Sequence, residues 1–514
     1  MYPPGGGQMQ RDGALSSTPA PFPDGTAVRA APAVLPIISA RRWDPAVGAL
    51  ALLTCAATLA INAYPIIRPL VFGDDYEILV RAWTWERTWK TLWEPQNEHA
   101  MPLGRLSTWL LARLAGRPSV LPLLTALQGP LALLAALGLV FLFACREMGH
   151  ALYGVAAMAL FGVSSAYAQA VYWFSASFAL PALVMLLLAL LAAQRWRQTG
   201  RIVWLVCCAV GVALSPCWFA LGILAGPLCC LYLLPGFACD GLRPAAKHFL
   251  AALVPLLGSV VFLAVSLPRT KDYIDHLDHY GGKSPLESFK PSIGALNTCR
   301  AIVDNLVLGV TGVSGLVCPL WLLPFALVLL AVAGIWWWRH APCRRLLVLG
   351  LGFIFGSYLL IHSARADWYY EAVGMTLPHW GRYQLFPQLG LALFISGGLP
   401  TVRLFQADEK LTRTQFRWLA VGVVVLFLIQ LPRGLLQHPD RAEGMLEQQE
   451  FLREIESMDA RCRQHGIDAA TARAALPRLK IWGNDKENGW DFLRGSDQPR
   501  AVTVEEARQL LTDE

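Results

Sequence analysis

Apolar residues in this chain come in long runs, separated by short breaks that carry arginine, lysine, proline or glycine. None of the runs alternates polar and apolar with period two, so they read as helices rather than strands. The pattern predicts helices at about Pro45–Ile67, Ser119–Ala144, Leu152–Ala170, Phe174–Ala193, Ile202–Leu214 and Trp218–Leu234. Further helices are expected at about Phe249–Leu267, Leu316–Trp338, Leu346–Ile361, Leu385–Leu399 and Phe416–Leu431.

Composition turns this pattern into a class of protein. Of 514 residues, 55% are hydrophobic and 15% charged, and mean hydropathy is +0.44. Soluble domains carry about 25% charged residues, so this chain lacks the polar surface to coat so much apolar mass. In a bilayer only helices and closed barrels satisfy every backbone polar group, and helix-length runs select the first. The expectation is an all-α polytopic membrane protein with about eleven transmembrane helices. Residues 1–40, rich in Pro, Gly and Ala, read as a disordered leader without the charged n-region and apolar stretch of a signal peptide. Residues 41–436 form the membrane domain, with a first external loop at 71–117, and 437–514 a small helical tail.

Basic residues set the orientation. Arg29, Arg41 and Arg42 precede the first helix and favour a cytoplasmic N-terminus. Arg195/Arg197/Arg201, Arg243/Lys247, Arg339/Arg344/Arg345 and Arg403/Lys410/Arg413/Arg417 then fall on the cytoplasmic side, provided residues 301–315 do not span. The tail is thereby extracytoplasmic. The net charge of +7 is used up by this topology signal and does not point to nucleic acid. Most of the twelve cysteines lie within apolar runs, without CxxC or zinc spacing, and read as small buried hydrophobes.

Candidate chemistry gathers in the external loops. Asp74 and Asp75 follow the first helix directly, and Glu98 and His99 come later in the same loop. Adjacent carboxylates near low-dielectric surroundings resist joint ionisation, and such a group suits general-base work on an attacking hydroxyl. The alternative is that Asp74 and Asp75 cap the helix that follows. Ile78, Ala82, Trp85, Trp89 and Leu92 recur at helical spacing and predict one amphipathic helix in the headgroup layer, its indoles at the interface. Glu98 and His99 can orient an acceptor, bind a metal, or hold the aspartates in place.

An anchor helix, a loop opening on Asp74-Asp75, and then Glu98-His99-Ala100-Met101-Pro102-Leu103-Gly104-Arg105-Leu106 form a recognisable series. It resembles the GT-C superfamily of polyprenyl-phosphate-sugar-dependent glycosyltransferases, in its protein mannosyltransferase-like branch. Residues 166–175 (AYAQAVYWFS) and Gly381-Arg382-Tyr383-Gln384-Leu385-Phe386-Pro387 fit the same pattern. The chain has Ser215-Pro216-Cys217-Trp218 where many relatives carry a Lys-Glu pair, and Ser175-Ala176-Ser177 where they carry an arginine. The resemblance implies that Asp74 or Asp75 is the catalytic base and that basic residues at the membrane surface hold a lipid phosphate.

Arg382, just outside an apolar helix, is the main candidate for that phosphate, with snorkelling to the interface as the alternative. Lys271 and Arg365 join it from two other external loops. Asp275, His276, Asp278 and His279 can instead bind a divalent cation, or belong to a solvated loop. His362, Asp367, Trp368, Tyr369, Tyr370, Glu371 and His379 make a last external loop that suits carbohydrate or an aromatic belt. Asp304 stands alone in an apolar stretch. The resemblance thus implies, in the inner (plasma) membrane of a bacterium, transfer of a sugar from a polyprenyl-phosphate carrier to a glycan, lipid or protein, with inversion. No cofactor is expected beyond a possible divalent cation. A flippase for lipid-linked sugars and a non-catalytic accessory subunit are the rivals.

Overall fold

Helices occupy each of the apolar runs. The computed structural model describes residues 45–62, 74–82, 84–96, 99–115, 120–234, 246–275, 298–299, 301–303, 323–341, 343–364, 381–402, 412–436 and 464. Helix α1 (Pro45–Asn62) leads to the first loop, which holds α2 (Asp74–Arg81), α3 (Trp85–Lys90), a minimal hairpin β1 (Pro95–Gln96) and β2 (His99–Ala100), and α4 (Pro102–Ala115). Then follow α5 (Leu121–Met148), α6 (Ala151–Gly162), two single turns α7 (Gln169–Tyr172) and α8 (Phe174–Ser177), α9 (Ala179–Thr199) and α10 (Ile202–Leu214). The remainder is α11 (Ala225–Leu233), α12 (Ala246–Asp275), α13 (Leu323–His340), α14 (Arg344–Ala364), α15 (Leu385–Gly398) and α16 (Arg413–Leu436). Short 3-10 turns at Ala220–Leu224 and Gly381–Gln384 open α11 and α15.

Among the described residues six helices are long and apolar enough to cross a membrane: Pro45–Asn62, Leu121–Met148, Phe174–Thr199, Lys247–Arg269, Arg344–Ser363 and Arg413–Pro432. Five shorter apolar helices accompany them. At 1.5 Å per residue the 28 residues of α5 extend about 42 Å, beyond the roughly 30 Å of a hydrocarbon core. The chain is an all-α, multi-pass membrane protein. Residues 1–40, and the tail at 437–514 apart from Gln464, lie outside the described residues.

The helices divide into inner and outer. Over an 18-residue apolar window, 78% of residues are buried in the span at Phe174–Thr199, against 22% in the span at Arg413–Pro432. Leu180, Leu183, Leu186, Leu187 and Leu190 of α9 have no exposed surface, whereas α12 turns Leu250, Leu253, Leu257, Val260 and Val261 outward. Apolar side chains facing out are what a lipid solvent permits, so packing between such helices must come from shape and polar contacts. Helices α14 and α15 show the first. A Cβ on Gly350 meets the carbonyl oxygen of Gly390 at 2.6 Å, and one on Gly390 meets that of Gly350 at 2.6 Å. Only paired glycines let the two backbones touch there.

Polar contacts tie three other helices. Glu147 of α5 accepts from Tyr232 Oη at 2.6 Å, Gln194 Nε2 at 2.8 Å and Arg197 Nη1 at 3.2 Å. Arg197 also donates to Tyr232 Oη at 2.9 Å. A carboxylate with a guanidinium and two neutral donors is a satisfied buried ion pair, and it joins α5, α9 and α11.

The structure departs from the sequence expectation in several places among the described residues. The helix expected to end at about Leu267 continues to Asp275, so Lys271 and Asp275, expected in an external loop, are helical. The helix expected at about Leu152–Ala170 ends at Gly162, and residues 163–168 turn inside the protein instead. Thr84 accepts from the N–H of Arg87 at 3.2 Å and starts a new helix, so the single amphipathic helix of the first loop is two. His362, expected in an external loop, lies buried in α14 beside Tyr358, with ring centroids 6.0 Å apart.

Candidate functional site

Asp74 and Asp75 open α2, where carboxylates suit the unpaired N–H groups of a helix start. Their partners, however, are not only local. Asp75 is 0% exposed, and its Oδ1 accepts the backbone N–H of Ser175, 100 residues away, at 2.7 Å. Ile78, Leu79 and Ala82 bury the inner face of α2, which packs on α4 and α8. The helix is therefore seated by an apolar stripe and by one charge-assisted hydrogen bond, and such bonds are stronger than neutral ones. The structure thus places Asp75 inside, and Asp74 is placed by its backbone.

The rest of the loop wraps around two arginines. Arg105, 2% exposed, donates to the carbonyl of Glu94 at 2.7 Å and to Thr91 Oγ1 at 3.1 Å. Arg81 donates to the carbonyl of Pro95 at 3.2 Å and lies 3.9 Å from the carboxylate of Glu94. These bonds hold residues 91–95 against α2 and α4 and so aim the hairpin, in which Gln96 pairs with His99. His99 is placed by its backbone, and Glu98 lies outside the described residues. The N–H of Leu103 reaches the carbonyl of Cys217 at 3.0 Å, which attaches the loop to the turn after α10. Trp85 and Trp89, 49% and 64% exposed, stack with centroids 5.8 Å apart on the outer side.

Ser175 belongs to a buried loop, residues 163–178, between α6 and α9. Irregular backbone within a membrane protein persists only where its polar groups find partners inside. Here they do. Asn62 Nδ2 donates to the carbonyl of Ser164 at 3.2 Å, and Gln388 Nε2 to Ser164 Oγ at 3.1 Å. Gln430 Oε1 accepts both the N–H and the hydroxyl of Ser165, at 3.0 and 2.7 Å. Gln128 Nε2 donates to Ser177 Oγ at 3.0 Å. Beside it Gly129 lets the loop lie directly on α5, since a Cβ there stands 2.0 Å from the carbonyl oxygen of Val171. Four helices, α1, α5, α15 and α16, thus set the position of the N–H that holds Asp75.

The same loop meets the turn that carries Arg382. Residues 169–172 pack on Gly381–Gln384, whose Tyr383 and Gln384 are buried, and Tyr358 Oη donates to Gln384 Oε1. Helix α12 packs on the hairpin, and near its C-terminal end Arg269 stands over the Trp93 ring at 5.6 Å. Lys271 lies on that end of α12; it and Arg382 are placed by their backbones. Arg365, Asp304, and the stretches 276–297 and 365–380 lie outside the described residues. Among the described residues no three His, Cys, Asp or Glu side chains gather as metal ligands.

Sequence reasoning missed Ser175, Gln128, Gln388 and Gln430. The glutamines carry a signal: an amide in an apolar helix must find a partner, which marks it as interhelical. The role of Ser175 is borne by its backbone, so no side-chain pattern announces it.

No family model matches this chain, and no curated protein matches it.

Proposed function

We propose that this membrane protein is a glycosyltransferase of GT-C type that takes a sugar from a polyprenyl-phosphate carrier on the extracytoplasmic face. The observation that carries the reading is the buried bond from the Ser175 N–H to Asp75, which fixes a first-loop carboxylate against the protein interior. A carboxylate pair of this kind deprotonates an acceptor hydroxyl as its oxygen attacks the anomeric carbon, and the configuration inverts. The lipid phosphate leaves toward Arg382 and Lys271, whose elements pack on the buried loop and on the hairpin respectively. Cationic groups aimed at developing phosphate charge lower the barrier for its departure. Glu98 and His99 orient the acceptor from the hairpin turn. This reading takes all eleven apolar helices as crossings, with a cytoplasmic N-terminus and an extracytoplasmic tail.

Purified protein in nanodiscs, given polyprenyl-phosphate-[14C]hexose and envelope membranes from a strain lacking the gene, tests the proposal. Label moving from the carrier into glycan, lipid or protein, with the anomeric configuration inverted, is the expected result. If label stays on the carrier and crosses sealed vesicles instead, the protein is a flippase; if it neither moves nor crosses, it is an accessory subunit.

A further inference from the structure

The shared end of α5 and α9 carries more positive charge than the bundle uses. Glu147 is matched by Arg197, and no other Asp or Glu occurs between residues 148 and 239. Among the described residues Arg146 has no hydrogen-bond or ion-pair partner, and Arg195 donates only to the side chain of exposed Gln198, at 3.4 Å. The two guanidinium groups nonetheless stand close enough to repel one another, and both are partly buried.

An outward apolar stripe runs along the helix before each of these arginines. On α5, Leu131, Ala135, Gly138 and Leu142 lead to Arg146 at spacings of three and four, and all are partly or fully exposed. On α9, Val184 and the exposed Leu188 lead to Arg195 on one face. The two helices pack on each other, and a Cβ at Gly138 would meet nothing within 4 Å, so the α5 stripe is open there. From Arg146 to Ala135 the rise is about 16 Å, close to one leaflet of a hydrocarbon core roughly 30 Å thick.

We infer that this α5–α9 edge binds one anionic phospholipid, its phosphate between Arg146 and Arg195 and an acyl chain along the apolar stripes. Guanidinium forks match phosphate oxygens, and a phosphodiester between them turns their repulsion into shared attraction. Snorkelling alone carries each arginine to the headgroups separately and gives no reason for two like charges to converge. A zwitterionic headgroup brings an ammonium against the same arginines, so a lipid of net negative charge is selected. In the topology taken above, this edge meets the cytoplasmic leaflet.

Native mass spectrometry of the full chain, released from micelles of equimolar dioleoylphosphatidylglycerol and dioleoylphosphatidylethanolamine, reads the preference without any sugar transfer. One basic residue near an anionic headgroup favours it about fivefold, so the parent should hold phosphatidylglycerol about thirtyfold over phosphatidylethanolamine. Arg146→Gln combined with Arg195→Gln should bring that ratio near one and melt like the parent in zwitterionic lipid. Gly138→Phe fills the stripe, leaves the charges, and should lose the bound phosphatidylglycerol. Arg201→Gln removes an exposed arginine at the start of α10 and should leave the ratio unchanged. A parent without preference overturns the site. So does an Arg201→Gln protein that loses as much as the double variant, because the attraction is then a diffuse field of the whole edge. If the double variant melts lower or does not fold, Gly138→Phe decides alone, and undiminished phosphatidylglycerol binding by it overturns the site.

Discussion

Replacing Gln430 by leucine isolates how firmly the buried loop is held. Its Oε1 accepts two hydrogen bonds from one residue, the N–H of Ser165 at 3.0 Å and the hydroxyl at 2.7 Å. Gln430 is 1% exposed and Ser165 0%, so water does not replace the lost acceptor. Each orphaned buried donor costs about 1–3 kcal/mol, which gives an upper range of about 2–6 kcal/mol for the pair. The hydroxyl rotates and can find another carbonyl, and polar contacts in membrane proteins average only about 0.6 kcal/mol in double-mutant cycles. The N–H has no such freedom. The expected loss is therefore about 2–3 kcal/mol, most of it from the backbone donor. Unfolding in mixed micelles with increasing SDS measures it. Gln430→Glu, which keeps an acceptor oxygen, should fall between Gln430→Leu and the parent. A cycle with Ser165→Ala should show coupling of about 0.6–1.7 kcal/mol, the hydroxyl share. A Gln430→Leu protein within about 0.5 kcal/mol of the parent, the range of an uninvolved surface site, refutes the argument that α16 holds this loop.

Three further outcomes follow from the geometry. Arg197→Ala strips the guanidinium from buried Glu147 and should destabilise by about 3–5 kcal/mol in the same SDS titration, whereas a Glu147→Gln, Arg197→Met pair should recover much of that loss. Gly129→Ala places a methyl 2.0 Å from the Val171 carbonyl oxygen and should cut labelled transfer more than tenfold while α5 remains helical by circular dichroism; unchanged transfer means the loop moves without consequence. His150 caps α6, its Nδ1 accepting the N–H of Leu152 at 3.1 Å, and burial lowers its pKa. The neutral ring is the folded form, so this stability is present above the ordinary histidine pKa of about 6.5 and is lost as pH falls through the lowered value. His150→Asn, which keeps a cap, should abolish that acid-side loss, worth about 0.5–1 kcal/mol; an unaltered pH–stability curve refutes it.

The sequence by itself determined that this is a helical membrane protein and where its helices lie. The physical reason is one-dimensional: a backbone in lipid must satisfy its own polar groups, so each apolar run has one available form. Asp74 and Asp75 were also legible as the start of a helix. The same run-by-run logic failed after Gly162, because it treats all apolar sequence alike. Residues 163–168 leave the helix where Asn62, Gln388 and Gln430 supply the partners that helical bonds otherwise provide. It failed at His362 too, where a polar residue read as loop is buried in α14. Only the tertiary structure placed Asp75 inside. That placement depends on a backbone N–H 100 positions away, and a donor that every residue but proline carries leaves no mark in the sequence.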